Sequence, residues 1–437
     1  MTGHVIDPYF HRSPGGEDVF SIENNAIRFG PGVLVEVGAE ARALGLRRVA
    51  LFTDARVRLL PAFDTLHAGL RGAGVDVALY DSVAVEPTDR SFLAGAAFAV
   101  GAAVDGFVSL GGGSVIDTAK AANLFSTWPA DFLDYVNAPI GLARPVPGKL
   151  KPHIACPTTF GTASETTGIA VCDLLDLRVK SGIVSRRIRP NLGVLDPTAL
   201  ASLPKLVVAA NGFDVLSHAI ESFTARPFTL RAAPGEPGLR PLSQGANPYG
   251  DQPCLQAIRI AARFLERAVA DPADQEARDN LMFAGLLAGI GFGNTGNHLP
   301  HAMSYPVAGQ VKAYTAPGWP ADEPLVPHGI AVVVNAPAAF RFTAAATPQR
   351  HARALEAFGA GVPDAPGDIG EALAARLTTL MRATGIPNGL SGVGYAEADI
   401  DILADGAFAQ KRLVDNAPLP VTRADLVALF RAALRYW

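Results

Sequence analysis

The stretch Val104–Phe125, VDGFVSLGGGSVIDTAKAANLF, decides the first half of the fold. A β-like apolar run ends in Gly111-Gly112-Gly113, and an Ala-rich segment with helical period opens at Ser114. Glycines let a backbone approach an anion closely, and the free N–H groups and dipole of a helix N-terminus favour negative charge. A diphosphate is the natural occupant, although an ordinary tight strand-to-helix turn reads the same way. Ser114 and Asp117 have the Ser-x-x-acid spacing of a capping box. The glycine spacing is not G-x-G-x-x-G, so the standard dinucleotide fingerprint is not present.

Outward from this stretch, short β-branched runs alternate with amphipathic segments from about Phe20 to Leu200, which points to βαβ units and a parallel sheet. Strands are expected at Val49–Thr53, Val75–Tyr80, Gly106–Leu110 and His153–Pro157. Asp54 ends the run VALFTD, where a carboxylate can accept bonds from an adenosine ribose; a helix N-cap is the plainer reading. Thr158 and Thr159 follow the run HIAC and can line a nucleotide cleft or simply cap the chain.

Beyond about Ser202 the texture is helical. PCLQAIRIAARFLERAVADP carries Leu255, Ile258, Ala262, Leu265 and Val269 on one face, with Pro253 near its start and Pro272 past its end. An α/β domain over residues 1–203 followed by a helical domain over 204–437 is the expected division. Two Pro/Gly-rich stretches, Arg226–Pro253 and Ala316–Pro327, read as long loops.

Four of the nine histidines lie between positions 218 and 328. Asp214 and His218 are four apart, so on a helix they share a face. NHLPHAMSYP supplies His298, His301 and Tyr305, and VPHG supplies His328. Imidazoles with a carboxylate suit Fe(II), Zn(II), Co(II) or Ni(II) rather than Ca(II) or Mg(II).

With 37 Lys+Arg against 41 Asp+Glu among 437 residues, the chain has no basic excess for a nucleic-acid partner. Its 49% hydrophobic and 18% charged residues are those of a globular protein, and no apolar run reaches the roughly 18–20 residues of a membrane span. Three cysteines and an N-terminal stretch without signal or transit character lead to the expectation of a cytoplasmic protein.

GGGSVIDTAKAANLF, PTTFGTASETT, GFDVLSHAIESFT, GNHLPHAMSYPVAG and VPHG together resemble the iron-containing alcohol dehydrogenase family. VEPTDRSF, DFLDYVNAPIG, QGANPYGD and VGYAEADI resemble its hydroxyacid–oxoacid transhydrogenase branch. The resemblance implies a dehydroquinate synthase-like architecture: a Rossmann-like α/β nucleotide-binding domain, then an all-α metal-binding domain. It implies NAD, less readily NADP, with a divalent metal that is Fe(II) or alternatively Zn(II). By position the metal ligands would be Asp214, His218, His301 and His328, with Tyr305 standing where many family members carry a second histidine. Gly112, Gly113, Ser114 and Asp117 would hold the diphosphate. Thr158 and Thr159 would line the cofactor cleft, Asp54 would meet the ribose, and Lys180 would reach the adenine side. Phe160 and Ala163 depart from the small Ser and Gly of the family's T-T-S-G-T-G-S-E.

The implied reaction turns 4-hydroxybutyrate and 2-oxoglutarate into succinate semialdehyde and 2-hydroxyglutarate. Such acids need a cation for the distal carboxylate; Lys312, between His301 and His328 in sequence, is the candidate, and a solvated surface lysine is the plainer reading. The alternatives are a dehydrogenase that releases its cofactor each turnover, a dehydroquinate synthase-like lyase, and a binding protein without turnover. The expected partners are small hydroxy acids, alcohols or oxo acids, with no nucleic acid and no membrane. Since most soluble oligomers are twofold, the chain is expected to form a homodimer.

Overall fold

The structure is a computed structural model that describes Tyr9 and residues 14–177, 179–319 and 324–437. Internal contacts divide it into two units: Asn24–Leu203, and Pro204–Trp437 together with the segment up to Glu23.

The first unit runs β1 (Ala26–Phe29), α1 (Val37–Ala43), β2 (Arg48–Phe52), α2 (Pro61–Gly72), β3 (Asp76–Tyr80), α3 (Asp89–Gly101) and β4 (Gly106–Gly111). It continues with α4 (Gly113–Thr127), α5 (Phe132–Tyr135), β5 (His153–Pro157), β6 (Ile169–Leu174), β7 (Val179–Val184) and β8 (Leu192–Leu195). Six strands form one sheet in the order β1-β8-β5-β4-β2-β3, every pair parallel. A separate antiparallel hairpin pairs β6 with β7.

The central strands β4 and β5 are buried at every position, as an all-parallel sheet covered on both faces requires. Alternation along β2 serves both faces. Val49 and Leu51 join the core with Leu66, Leu70 and Val108, whereas Ala50 and Phe52 join Phe107, Val115 and Ala119. Each fully buried aliphatic side chain here contributes about 1.5–3 kcal/mol.

The chain goes from β2 outward to the edge strand β3 and then returns to the other side of β2 as β4. Such a reversal marks, beyond the carboxyl ends of β2 and β4, the place where ligands bind in doubly wound sheets. Thr53 Oγ1 donates to the Leu110 carbonyl at 2.9 Å and ties the two strand ends together. The four expected strands are present to within a residue. β1, β8 and the β6–β7 hairpin were not anticipated.

The helical unit contains α6 (Lys205–Thr224), α7 (Pro248–Ala270), α8 (Gln275–Thr295), α9 (Leu299–Gly309), α10 (His328–Val333) and α11 (Ala336–Ala344). It ends with α12 (Pro348–Ala357), α13 (Ile369–Ala383), α14 (Ile400–Phe408), α15 (Lys411–Val414) and α16 (Arg423–Ala432). No helix among the described residues is long and apolar enough to cross a membrane.

Helix α6 is buried almost throughout from Val207 to Thr224, enclosed by α7, α8 and α10. A helix buried on every side belongs in a core, so its polar residues are costly unless partnered. Helix α7 starts earlier than expected, at Pro248 rather than near Pro253. Asn247 caps it by accepting from the Gly250 amide at 2.9 Å, which shortens the preceding loop. Of the other expected loop, residues 320–323 lie outside the described ones.

The N-terminal segment groups with the helical unit rather than with the sheet. Tyr9 Oη donates to Asp251 Oδ2 at 2.8 Å, the Glu17 amide to the Arg231 carbonyl at 2.7 Å, and the Ser21 amide to Gln244 Oε1 at 2.6 Å.

Candidate functional site

In the helical unit, Asp214, His218, His301 and His328 come together, one ligand atom from each lying within 4.8 Å of the others. Asp214 and His218 are one turn apart on α6, His301 is in the first turn of α9, and His328 opens α10 behind Pro327. Asp214 Oδ1 is the hub: the Nε2 atoms of His301, His328 and His218 stand 3.5, 3.7 and 3.8 Å from it. All four side chains are buried except that of His328, which is about a quarter exposed.

Two of the buried ligand atoms, Asp214 Oδ1 and His301 Nε2, make no hydrogen bond. Buried polar atoms are nearly always paired, so such a vacancy in pairing at the centre of three imidazoles is the mark of a cation site. Burial pushes the Asp214 carboxyl up, but His218, His328 and His301 outweigh it and hold the group well below the usual carboxylate range. The carboxylate is therefore ionised. Mixed nitrogen and oxygen donors fit Fe(II), Zn(II), Co(II) or Ni(II).

Sequence reasoning missed Glu221. It is fully buried on α6, three residues beyond His218, and its Oε1 lies 2.6 Å from His301 Nδ1. Its Oε2 accepts from the His298 amide at 2.7 Å and, more weakly, from the His301 amide at 3.4 Å. A carboxylate on Nδ1 keeps that nitrogen protonated and leaves Nε2 as the lone-pair donor, which fixes the tautomer a metal ligand needs. Burial lowers the His301 pKa, but Glu221 and Asp214 outweigh it and push it up to about 9, so without a cation Nε2 also carries a proton, which a bound metal would displace.

His298 is excluded from the cluster by its own bonds. Its Nδ1 accepts from the Leu299 amide at 2.7 Å, and its Nε2 faces Thr224 Oγ1 at 3.0 Å. Burial pulls its pKa down, so the ring stays neutral. Phe292, also missed, stacks on His218 with ring centroids 4.0 Å apart and walls that side of the site with hydrocarbon. Tyr305 follows His301 by one turn of α9 and is buried.

Lys312 follows the plainer of its two readings. Its side chain is half exposed, and its ammonium sits 2.6 Å from Asp399 Oδ2. It is a surface ion pair, because adjacency in sequence to two ligands says nothing about distance in space.

In the α/β unit, Gly112 and Gly113 open α4 at the carboxyl end of β4. A Cβ on Gly113 would fall 2.8 Å from Thr162 Oγ1, so glycine is required there, whereas one on Gly112 would stand 3.3 Å from the methyl of Thr159, a tight contact. The helix has no side-chain cap, which leaves its first amides to a ligand or water. The expected capping box is absent: Gly112 is the N-cap, Ser114 lies inside the helix, and its Oγ accepts from the Glu86 amide at 3.3 Å.

Asp117 is turned to the protein. Its Oδ1 accepts from Ser164 Oγ and from Lys120 Nζ at 3.3 Å, and its Oδ2 from the Val171 amide at 2.9 Å. Thr158 is buried, and its amide donates to the Gly111 carbonyl at 3.0 Å; Thr159 faces Gly112. Asp54 is partly exposed beyond β2, with Oδ1 accepting from the amides of Arg56 and Val57 at 2.9 Å each. Lys180 is buried between Glu86 Oε2 at 2.6 Å and Asp173 Oδ2 at 3.2 Å. Phe160 is buried, and Ala163 holds a left-handed φ of 46° where the family pattern has glycine.

The model of the iron-containing alcohol dehydrogenase matches residues 24–197, and that of the Fe-containing alcohol dehydrogenase family, C-terminal, matches residues 242–434. A protein named mitochondrial hydroxyacid-oxoacid transhydrogenase in Bos taurus is 46% identical over 431 residues, covering 97% of this chain and 92% of its own. The one so named in Caenorhabditis elegans is 41% identical, covering 95% of this chain and 90% of its own. The crystal structure of a 1,3-propanediol oxidoreductase superimposes with a TM-score of 0.83 at 30% identity, covering 95% of this chain and all of its own. A sulfoacetaldehyde reductase from Bifidobacterium kashiwanohense, solved with NAD+, gives 0.77 at 25% identity over 95% of this chain and 99% of its own.

These names overturn the expectation of a cytoplasmic protein: the transhydrogenases that the chain resembles are named as mitochondrial. An enzyme and an oxidoreductase, this chain belongs to the iron-containing alcohol dehydrogenase family.

Proposed function

We propose that the enzyme is a hydroxyacid–oxoacid transhydrogenase, exchanging hydride between 4-hydroxybutyrate and 2-oxoglutarate through an NAD that it retains. The observation that carries this reading is the near-full-length identity, 41–46%, to proteins named for that activity. In this reading residues 24–203 bind the nucleotide, residues from 204 hold metal and substrate, and the enzyme works as a homodimer.

Asp214, His218, His301 and His328 would hold the metal; their convergence and the unbonded Asp214 Oδ1 and His301 Nε2 support it. When bound, the metal supplies a Lewis acid for the substrate oxygen and the nicotinamide supplies or accepts hydride. The chain's own residues do the rest. Asp214 provides the negative charge that holds a cation in a buried place. Glu221 locks the His301 ring, and Phe292 keeps water from the His218 face. Tyr305, one turn beyond His301, is proposed to carry the hydroxyl proton. Gly112, Gly113 and Ser114 would bring backbone amides to the diphosphate, Thr158 and Thr159 would flank it, and Asp54 would use its second oxygen on the ribose. Asp117 and Lys180 would shape the cleft from behind.

A second reading, an NAD(P)-dependent alcohol dehydrogenase that releases its cofactor, is favoured by the 30% identity to the 1,3-propanediol oxidoreductase. Purified protein loaded anaerobically with Fe(II) separates the two. Many turnovers of 4-hydroxybutyrate plus 2-oxoglutarate to 2-hydroxyglutarate without added NAD are expected. Strict dependence on added NAD, with NADH accumulating, would establish the second reading.

A further inference from the structure

The long loop that precedes α7 and the segment after α14 bring three arginines to one place in the helical unit. Arg231 Nη2 donates to Asn416 Oδ1 at 2.9 Å, and the Arg226 amide donates to the Asn416 carbonyl at 2.9 Å. Arg412 Nη1 donates to Ser243 Oγ at 3.2 Å, and Ser243 and Asn416 both lie against Gly296. Arg226 spends its Nη2 on the Leu230 carbonyl.

None of the three has a carboxylate within ion-pair distance among the described residues. Arg240 of the same loop, by contrast, is held by Glu17 at 2.9 Å. Arg231 Nε is buried without a hydrogen-bond partner. Burial and the nearby Arg226 and Arg412 pull the Arg231 pKa down to about 10, with only the exposed Asp415 acting against them. A half-buried cluster of unpaired guanidiniums is costly, and a bidentate anion is what such forks match.

A chain of bonds connects the cluster to the helices that carry the candidate metal ligands. Ser222, one turn along α6 from His218, donates to the Gly296 carbonyl at 3.2 Å, and Gly296 leads through His298 into α9 and His301. A short hydroxy or oxo acid carries its charged end a few bonds from its reacting carbon. The cation that reads it must therefore lie near the metal ligands without being among them. Lys312, committed to Asp399, does not meet that need.

We infer that Arg226, Arg231 and Arg412 form the site for a carboxylate of the acid substrate, and so determine the preference for acids over neutral alcohols and aldehydes. This rests on the substrate class proposed above. Ser243 and Asn416 position two of the guanidiniums, and Gly296 is required beside them, its φ of 87° and the 2.6 Å approach of Ser243 Cβ leaving no room for a side chain.

The test uses the metal-loaded holoenzyme and reads the ratio of kcat/KM for succinate semialdehyde to kcat/KM for butyraldehyde. Arg412→Ala and Arg231→Ala are each expected to lower that ratio about tenfold or more, the effect of losing one charge-assisted contact. Arg412→Lys is expected to keep most of it. Arg412 and Arg231 belong to different segments, so a folding defect in one variant leaves the other to decide. Equal losses on both aldehydes, or an unchanged ratio, would overturn the assignment. If the unsubstituted enzyme shows no preference for the acid, the substrate-class reading fails and this inference with it. If that preference exists and survives both substitutions, only the arginine assignment fails.

Discussion

The Asp/His cluster of the helical unit and the glycine turn of the α/β unit treat their polar groups in opposite ways. At the cluster, Asp214 Oδ1 and His301 Nε2 are buried and left without hydrogen bonds. Around the turn and elsewhere in the α/β unit, the side chains of Asp117, Lys120 and Lys180 and the amide of Thr158 are bonded by the protein itself. A group that the fold leaves unsatisfied in its interior must be completed from outside, because an unpaired buried polar atom costs about 1–3 kcal/mol and a charge more. A turn whose side chains are already satisfied can offer a ligand mainly backbone amides, which water also serves. The cluster is thus shaped by its guest, whereas the turn is shaped first by the fold.

Substitutions can break or sharpen that contrast. The largest effect is expected at Asp214→Ala: loss of bound metal, read by elemental analysis, and a fall in kcat/KM of roughly a thousandfold. Retained metal with near-normal turnover would remove the contrast. Asp117→Ala should act oppositely, costing about 3 kcal/mol in urea unfolding, because Lys120 is fully buried and loses its carboxylate. A protein of unchanged stability with weakened NAD binding would instead make Asp117 a ligand-holding residue.

Glu221→Gln should lower metal affinity about 10- to 100-fold in competition with a chelator while the fold survives, since it removes the charge that orients His301. Ala163→Gly should stabilise the α/β unit by about 0.5–1 kcal/mol through relief of a left-handed alanine, measurable as a shift in the unfolding midpoint. The smallest effect belongs to Lys312→Ala. It breaks a half-exposed pair worth about 0–1 kcal/mol and should leave KM for acidic substrates unchanged.

The parts of the site that were legible in the sequence share a property: their chemistry repeats at a helical or turn spacing. Asp214 and His218 are one turn apart, His301 heads a helix, and His328 follows a proline that sets the helix entrance. The sheet could be read because its central strands are mostly apolar runs, and β1 and β8 escaped because four residues carry no period.

Glu221 was not legible, since an acid inside an apolar helix looks the same whether it faces solvent or His301. Ser114 misled because Ser-x-x-Asp predicts a cap only if the helix starts at the serine, and here it starts two residues earlier at the Gly112 turn. Lys312 and the three arginines show the same limit from two sides: the cation near in sequence is tied to Asp399, while those brought together by Asn416, Ser243 and Gly296 come from segments about 180 residues apart.

The most direct measurement is anomalous diffraction from crystals of protein reconstituted with Co(II) or Fe(II). A single strong peak is expected at roughly 2.0–2.2 Å from Asp214 Oδ1 and from a nitrogen each of His218, His301 and His328, with Glu221 on the far side of the His301 ring. A metal-loaded crystal with no peak among these four residues, or with its peak elsewhere, would contradict the claim that the cluster is built around a cation.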